Sequence, residues 1–211
     1  MSKTIGIFGG AFDPVHLGHT KSIANLQNVL EFEKIHIVPC NIPALKGSLI
    51  ASPKERLKML EIAFKDQSNI FIDDREIVKG GTSFTFETLR NIKADYKDKE
   101  NFLFIMGSDA FLDFKQWKNW SDILSMCSII ILQRPKYEIT KEILSDFKDN
   151  IALNIYDVLS QHGKIFFTEI SLFNISSSEI REDLKLKSLN ETKINKEVIN
   201  FIKKKSLYKN K

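Results

Sequence analysis

The chain has 211 residues, 43% of them hydrophobic and 27% charged, with 31 lysines and arginines against 27 acids for a net charge of +4. That is ordinary globular composition, long enough to bury a core, and it excludes a disordered or low-complexity polypeptide. No run reaches the roughly 18 apolar residues of a membrane span, and no signal-peptide succession precedes Ile5. Two distant cysteines, Cys40 and Cys127, offer neither a disulfide framework nor a zinc site, so a cytoplasmic protein is expected.

Short β-rich runs alternate with longer helical patterns along the chain. A strand is predicted over residues 4–8, then a glycine turn and a helix over 18–31, then a strand over 34–39. The next helix, 53–64, has a clear start: Ser52 can cap, Pro53 fills the first helical position, and Glu55 completes a capping box. A strand at 70–73 and a helix at 84–94 follow, then a strand at 102–106, a helix at 117–126 and a strand at 128–133. After a helix at 141–147 within a more polar, less regular stretch (136–163, read as a local insertion), the pattern gives a strand at 165–168. Helices at 178–187 and 196–205 close the chain. Such alternation, with near-continuous apolar strands such as Phe102-Leu103-Phe104-Ile105-Met106, predicts a Rossmann-like α/β fold. Its doubly wound parallel sheet carries helices on both faces, in one domain over residues 1–211. Ligands of such folds gather beyond the carboxyl ends of the strands.

The first strand runs into Gly9-Gly10-Ala11-Phe12-Asp13-Pro14-Val15-His16-Leu17-Gly18-His19. Adjacent glycines let the backbone turn sharply and approach a ligand, but the spacing is neither the dinucleotide fingerprint nor the phosphate loop. Two of the four histidines fall here, where a helix begins. Imidazole donors would join free backbone N–H groups and the positive end of the helix dipole, which suits a polyphosphate. A zinc site would need a third ligand that nothing nearby supplies; His36 and His162 are expected to be structural. Near the other end, Ser176 and Glu179 stand at capping-box spacing, and Arg181 is one of only five arginines in a lysine-rich chain. An arginine there points to a need for fixed fork geometry. A helix N-terminus carrying Ser177 and Arg181 would face the histidine helix across the crevice. Elsewhere the lysines are dispersed, and Lys203-Lys204-Lys205 reads as the solvated last turn of a helix, so no nucleic-acid partner is expected.

On these residues the sequence resembles the cytidylyltransferase-like nucleotidylyltransferases, and within them the bacterial nicotinate-nucleotide adenylyltransferase family. The family's Gly-Gly-Thr-Phe-Asp-Pro-x-His-x-Gly-His opening is matched with Ala11 for threonine. Residues 39–46 are similar to its Pro-x-x-x-Pro-Pro-His-Lys/Arg loop, ending in Lys46 but with Ala44 and Leu45 for Pro-His. Further matches are Gly81–Leu89, Gly107-Ser108-Asp109 with Phe114–Trp117 downstream, Gln133-Arg134-Pro135, and Asn174–Arg181.

The resemblance implies transfer of AMP from ATP to nicotinate mononucleotide. No protein nucleophile is required, because a phosphate monoester is largely dianionic at neutral pH and can attack the α-phosphorus itself. Positioning and charge stabilisation remain for the protein. The expected ATP site comprises Gly9, Gly10, Phe12, His16, His19, Gly107, Asp109, Ser177 and Arg181, with Asp109 accepting from ribose hydroxyls. Lys46 and Asn41 would hold the attacking phosphate, while Trp117 stacks on the nicotinate ring and Thr85 meets its carboxylate. Taken without the resemblance, Phe114, Trp117 and Trp120 also read as an amphipathic core stripe. Magnesium is expected on the substrate phosphates rather than in a protein cage. Open alternatives are a nicotinamide-mononucleotide or phosphopantetheine acceptor, and a non-catalytic nucleotide-binding module.

Overall fold

Apolar alternation along the central strands sorts the helices into two layers. In the computed structural model, which describes residues 3–45, 47–96, 100–133, 137–168, 175–186, 188–189 and 191–209, β1 (Thr4–Gly10) sends Ile5 and Ile7 to one face and Phe8 to the other. The first half continues through α1 (Leu17–Gln27), β2 (Lys34–Pro39), β3 (Ile42–Pro43), α2 (Pro53–Ala63) and β4 (Ile70–Ile72). α3 (Arg75–Lys79), β5 (Thr82–Ser83) and α4 (Thr85–Ala94) complete it. The second half runs β6 (Asn101–Gly107), α5 (Ser108–Phe111), a 3-10 turn at Phe114–Gln116, α6 (Trp120–Met126), β7 (Ser128–Leu132) and α7 (Lys141–Asp146). It ends with α8 (Asp157–Ser160), β8 (Ile165–Thr168), α9 (Ser177–Lys185), a 3-10 turn at Glu191–Lys193 and α10 (Lys196–Lys205).

Among the described residues, six strands form a parallel sheet in the order β4-β2-β1-β6-β7-β8, and the short β3 and β5 pair separately. The chain fills this sheet outward in one direction and then, starting beside β1, outward in the other. The strand order therefore reverses between β1 and β6, whose carboxyl ends splay into a crevice, the usual ligand position of a Rossmann-like sheet. Leu103, Ile105, Ile130 and Leu132 pack beneath α1, α2, α9 and α10. Phe102, Phe104, Met106, Ile129 and Ile131 pack beneath α4, α5 and α6. The doubly wound α/β sheet expected from the alternation is the fold observed.

Local differences have local causes. The helix expected from residue 117 begins at Trp120, because Asn119 adopts the left-handed conformation (φ 56) and Trp117 is extended (ψ 140). The helix expected to run to 31 stops at Gln27. Leu30 and Phe32, which prolong its apolar pattern, are instead buried anchors of the turn that delivers β2. Ser52, Pro53 and Glu55 start α2 as expected, with both capping-box hydrogen bonds present. Within the polar stretch after residue 136, α7 and α8 form and Phe147 is buried against the core.

Candidate active site

The turn leaving β1 is built by side chains from behind. Gly10 lies under the Phe12 ring, which a β-carbon there would approach to 3.0 Å. Phe12 holds a left-handed backbone (φ 50), uncommon for a bulky residue, and is kept there by burial and edge contacts with Phe8 and His19. Buried Asp13 accepts from the backbone N–H groups of Ile50 at 2.7 Å and Ala51 at 3.0 Å. Fully buried Arg56 donates to the carbonyls of Ala11 (2.9 Å) and Asn41 (3.3 Å). The loop is thus fastened to two other segments before any ligand arrives.

His16 is the N-cap of α1, and its backbone N–H donates to His19 Nδ1 at 3.2 Å. With Nδ1 accepting, the proton of a neutral His19 imidazole resides on Nε2. The two rings stack with centroids 3.7 Å apart. Facing them, α9 begins with Ser176 as cap, its hydroxyl accepting from Glu179 N–H at 3.2 Å. Ser177 Oγ donates to the Pro14 carbonyl (2.9 Å), and Arg181 donates through Nη1 to the Asp13 carbonyl (2.6 Å) and through Nη2 to Ser178 Oγ (3.1 Å). The N-termini of α1 and α9 are therefore docked on the same short turn, residues 13–16. Two positive dipole ends, two imidazoles and a guanidinium converge there, an arrangement suited to a polyanion.

A cavity of about 890 Å³ joins these groups to the carboxyl ends of β1 and β6. Gly9, Gly10, Phe12, His16, His19, Ser177 and Arg181 line it on one side. Gly107, Asp109, Thr85 and Trp117 line the other. Thr85 opens α4 and Gly107 caps α5. Trp117 sets its edge against Phe104 and Phe114 while facing the cavity, whereas Trp120 packs on Phe114 and Phe147. Asn41 falls outside the lining: its amide donates to the Gly81 carbonyl and its backbone N–H to Ser83 Oγ, both at 2.9 Å, which braces β3 against β5. Lys46, Arg134 and Asn174 lie outside the described residues.

Several builders of the site stand in no recognisable motif. Glu76 reaches the cavity beneath Ser83 and accepts from the Thr88 hydroxyl, and burial pushes its carboxyl above the ordinary range. Arg56 shares with Arg181 the one available signal, the rarity of arginine in a lysine-rich chain, but no motif at residue 56 singles it out. Among the described residues no group of three or more His, Cys, Asp or Glu side chains is placed to hold a metal ion. No described helix is long and apolar enough to cross a membrane.

This fold and crevice are of the cytidylyltransferase-like class, and the sequence model of that description matches residues 7–183. A protein of Psychromonas ingrahamii named probable nicotinate-nucleotide adenylyltransferase is 34% identical, over 98% of each chain. One of the same name from Methylococcus capsulatus is 35% identical, over 97% of this chain and 99% of its own. Among solved structures, the nicotinic acid mononucleotide adenylyltransferase of Plasmodium falciparum, complexed with NaAD, superposes with a TM-score of 0.76 at 25% identity, over 98% of this chain and 97% of that one. The chain belongs to the nicotinate-nucleotide adenylyltransferases of the cytidylyltransferase-like family.

Proposed function

We propose that the protein, acting as a single domain in the cytoplasm, transfers AMP from ATP to the 5′-phosphate of nicotinate mononucleotide. A phosphate oxygen of the mononucleotide attacks the α-phosphorus in line and forms the new P–O–P linkage. The bond from the α-phosphorus to the β-phosphate bridging oxygen breaks, and pyrophosphate leaves with that electron pair. The products are nicotinate adenine dinucleotide and pyrophosphate. The observation that carries this reading is that both stacked histidines and Arg181 line one cavity with Thr85 and Trp117.

In that cavity His19 donates from Nε2 to the α-phosphate, where charge builds in the transition state, and His16 supports it by stacking and by capping α1. Arg181 and the first N–H groups of α9 hold the departing pyrophosphate. The Arg181 fork is already oriented by the Asp13 carbonyl and Ser178, so little freedom is lost on binding. Asp109 accepts from ribose hydroxyls beside Gly107, and Trp117 offers its face to the pyridinium ring while the start of α4 at Thr85 receives its carboxylate; the attacking phosphate is assigned to Lys46 on the sequence resemblance alone. The charge on the ATP phosphates would be screened by magnesium carried on the substrate.

A pyrophosphate-release assay with ATP and three acceptors (nicotinate mononucleotide, its amide counterpart, and phosphopantetheine) tests the reading. Nicotinate mononucleotide gives the highest kcat/KM, and His19→Ala lowers kcat by about 10²–10³-fold with an unchanged circular dichroism spectrum. Equal turnover of the amide, or near-wild-type release by His19→Ala, overturns it.

A further inference from the structure

The family match ends at residue 183, yet the chain beyond it comes back to the crevice. α10 buries Val198, Ile199 and Ile202 in the core, and the backbone then reverses through two left-handed residues, Ser206 (φ 55) and Tyr208 (φ 60). Neither is glycine, and such residues rarely adopt positive φ unless their surroundings demand it. At Tyr208 the demand is visible. The ring is buried, and the hydroxyl donates to Asp13 Oδ1 at 2.6 Å across 195 positions of sequence.

Asp13 is the residue on which the polyphosphate end of the cavity is assembled. Its carboxylate accepts from Ile50 and Ala51, which end the segment whose Gly47, Ser48 and Leu49 line the cavity. Its carbonyl receives the Arg181 guanidinium, and three residues further on His16 caps α1. We propose that Tyr208 is a positioning residue for AMP transfer, its buried hydroxyl fixing the Asp13 carboxylate and through it the relative placement of His16, His19, Arg181 and the 47–51 segment. Burial and the neighbouring Asp13 charge hold the phenol well above its ordinary pKa, so the hydroxyl stays a neutral donor throughout the working pH range. This inference rests on the function proposed above for that site.

Tyr208→Phe removes one oxygen and leaves the buried ring in place. With the hydroxyl gone, Asp13 keeps only the backbone donors of Ile50 and Ala51, its placement loosens, and the groups that handle ATP shift relative to one another. kcat falls about tenfold and the ATP affinity weakens, while KM for nicotinate mononucleotide rises less than KM for ATP, because Thr85 and Trp117 belong to α4 and the turn after α5 rather than to the segments that Asp13 fastens. Tyr208→Met, which keeps apolar bulk without a donor, gives the same pattern. Val198→Ala, a core truncation on α10, lowers the unfolding midpoint but leaves kcat unchanged. A Tyr208→Phe protein with wild-type kcat and a lowered midpoint only, or a Val198→Ala protein with the same kcat loss, overturns the proposal. If the wild-type protein releases no pyrophosphate with any acceptor, the function reading fails on its own. Calorimetric titration of ATP then decides the Tyr208 proposal: weaker binding by both Tyr208 variants sustains it, and unchanged binding overturns it.

Discussion

Gly18 carries a demand that its helical setting hides. It is the second residue of α1, where alanine would be the better helix former by about 1 kcal/mol. A β-carbon at this position, however, would stand 2.8 Å from His16 Nδ1 and 2.9 Å from Cε1. The glycine therefore makes room for an imidazole rather than for a turn. In Gly18→Ala the His16 ring is pushed from its seat on His19, and if the proposed role of His19 holds, a misplacement of about 1 Å passed on to it costs up to about 100-fold in rate. The higher helix propensity of alanine and the crowding of the imidazole act in opposite directions, so stability to urea stays within about 1 kcal/mol of wild type. Pyrophosphate release and a urea melt, measured together, check this. Activity within twofold of wild type would mean that the stacked geometry is not what the reaction uses.

At the level of elements, β2, β4, α3 and α4 are tied by a buried charge network away from the crevice. His36 on β2 joins Asp73 Oδ2 and the Tyr96 hydroxyl, each at 2.7 Å, and Arg75 at the start of α3 grips both Asp73 oxygens at 2.8 Å. Burial pushes the Asp73 carboxyl upward, but the hydrogen bonds from His36 and Arg75 outweigh it and hold the group at about 2, against 3.8 without these surroundings. The unfolded chain takes up the proton first as pH falls. The pairing therefore stabilises fully above about pH 4, by roughly 2 kcal/mol, and the contribution disappears as pH falls toward 2. Asp73→Asn lowers ΔG of unfolding by about 2 kcal/mol at neutral pH, and the gap from wild type closes between pH 4 and 2. Urea denaturation at several pH values reads it, and a gap independent of pH would place the loss in packing instead. The same distinction between near and far explains what could be read from the chain alone. The six sheet strands follow from local apolar runs, and α2 and α9 from their serine caps. β3 and β5, two residues each, are too short to show a period. In the site, the histidine pair and Arg181 lie within readable motifs. The bonds of Asp13 to Ala51 and Tyr208, and of Arg56 to Ala11, span 38, 195 and 45 positions, and no local pattern contains them.

Across the whole molecule, the two sides of the cavity belong to different parts of the chain. Its histidine side joins residues near position 16 to residues near 181, whereas its other side comes from α4, α5 and the 3-10 turn before α6. A ligand that bridges the α1 and α9 N-termini links segments that must separate for the chain to unfold, and binding to the folded state alone stabilises it in proportion to the logarithm of one plus the ratio of ligand concentration to dissociation constant. ATP with magnesium at a hundredfold over its dissociation constant therefore contributes about 2.7 kcal/mol, which raises the melting temperature of a chain of this length by about 5–10 °C. Nicotinate mononucleotide alone, which in the proposed pose rests on Trp117 and the start of α4, also raises the melting temperature, by an amount that its own dissociation constant sets. Trp117→Ala diminishes that rise and keeps most of the ATP effect, because in the proposed pose the indole meets the ring and not the triphosphate. Thermal melts of both proteins with each ligand separate these contributions. Should ATP leave the wild-type melting temperature unchanged while the mononucleotide raises it, the triphosphate is not held between α1 and α9.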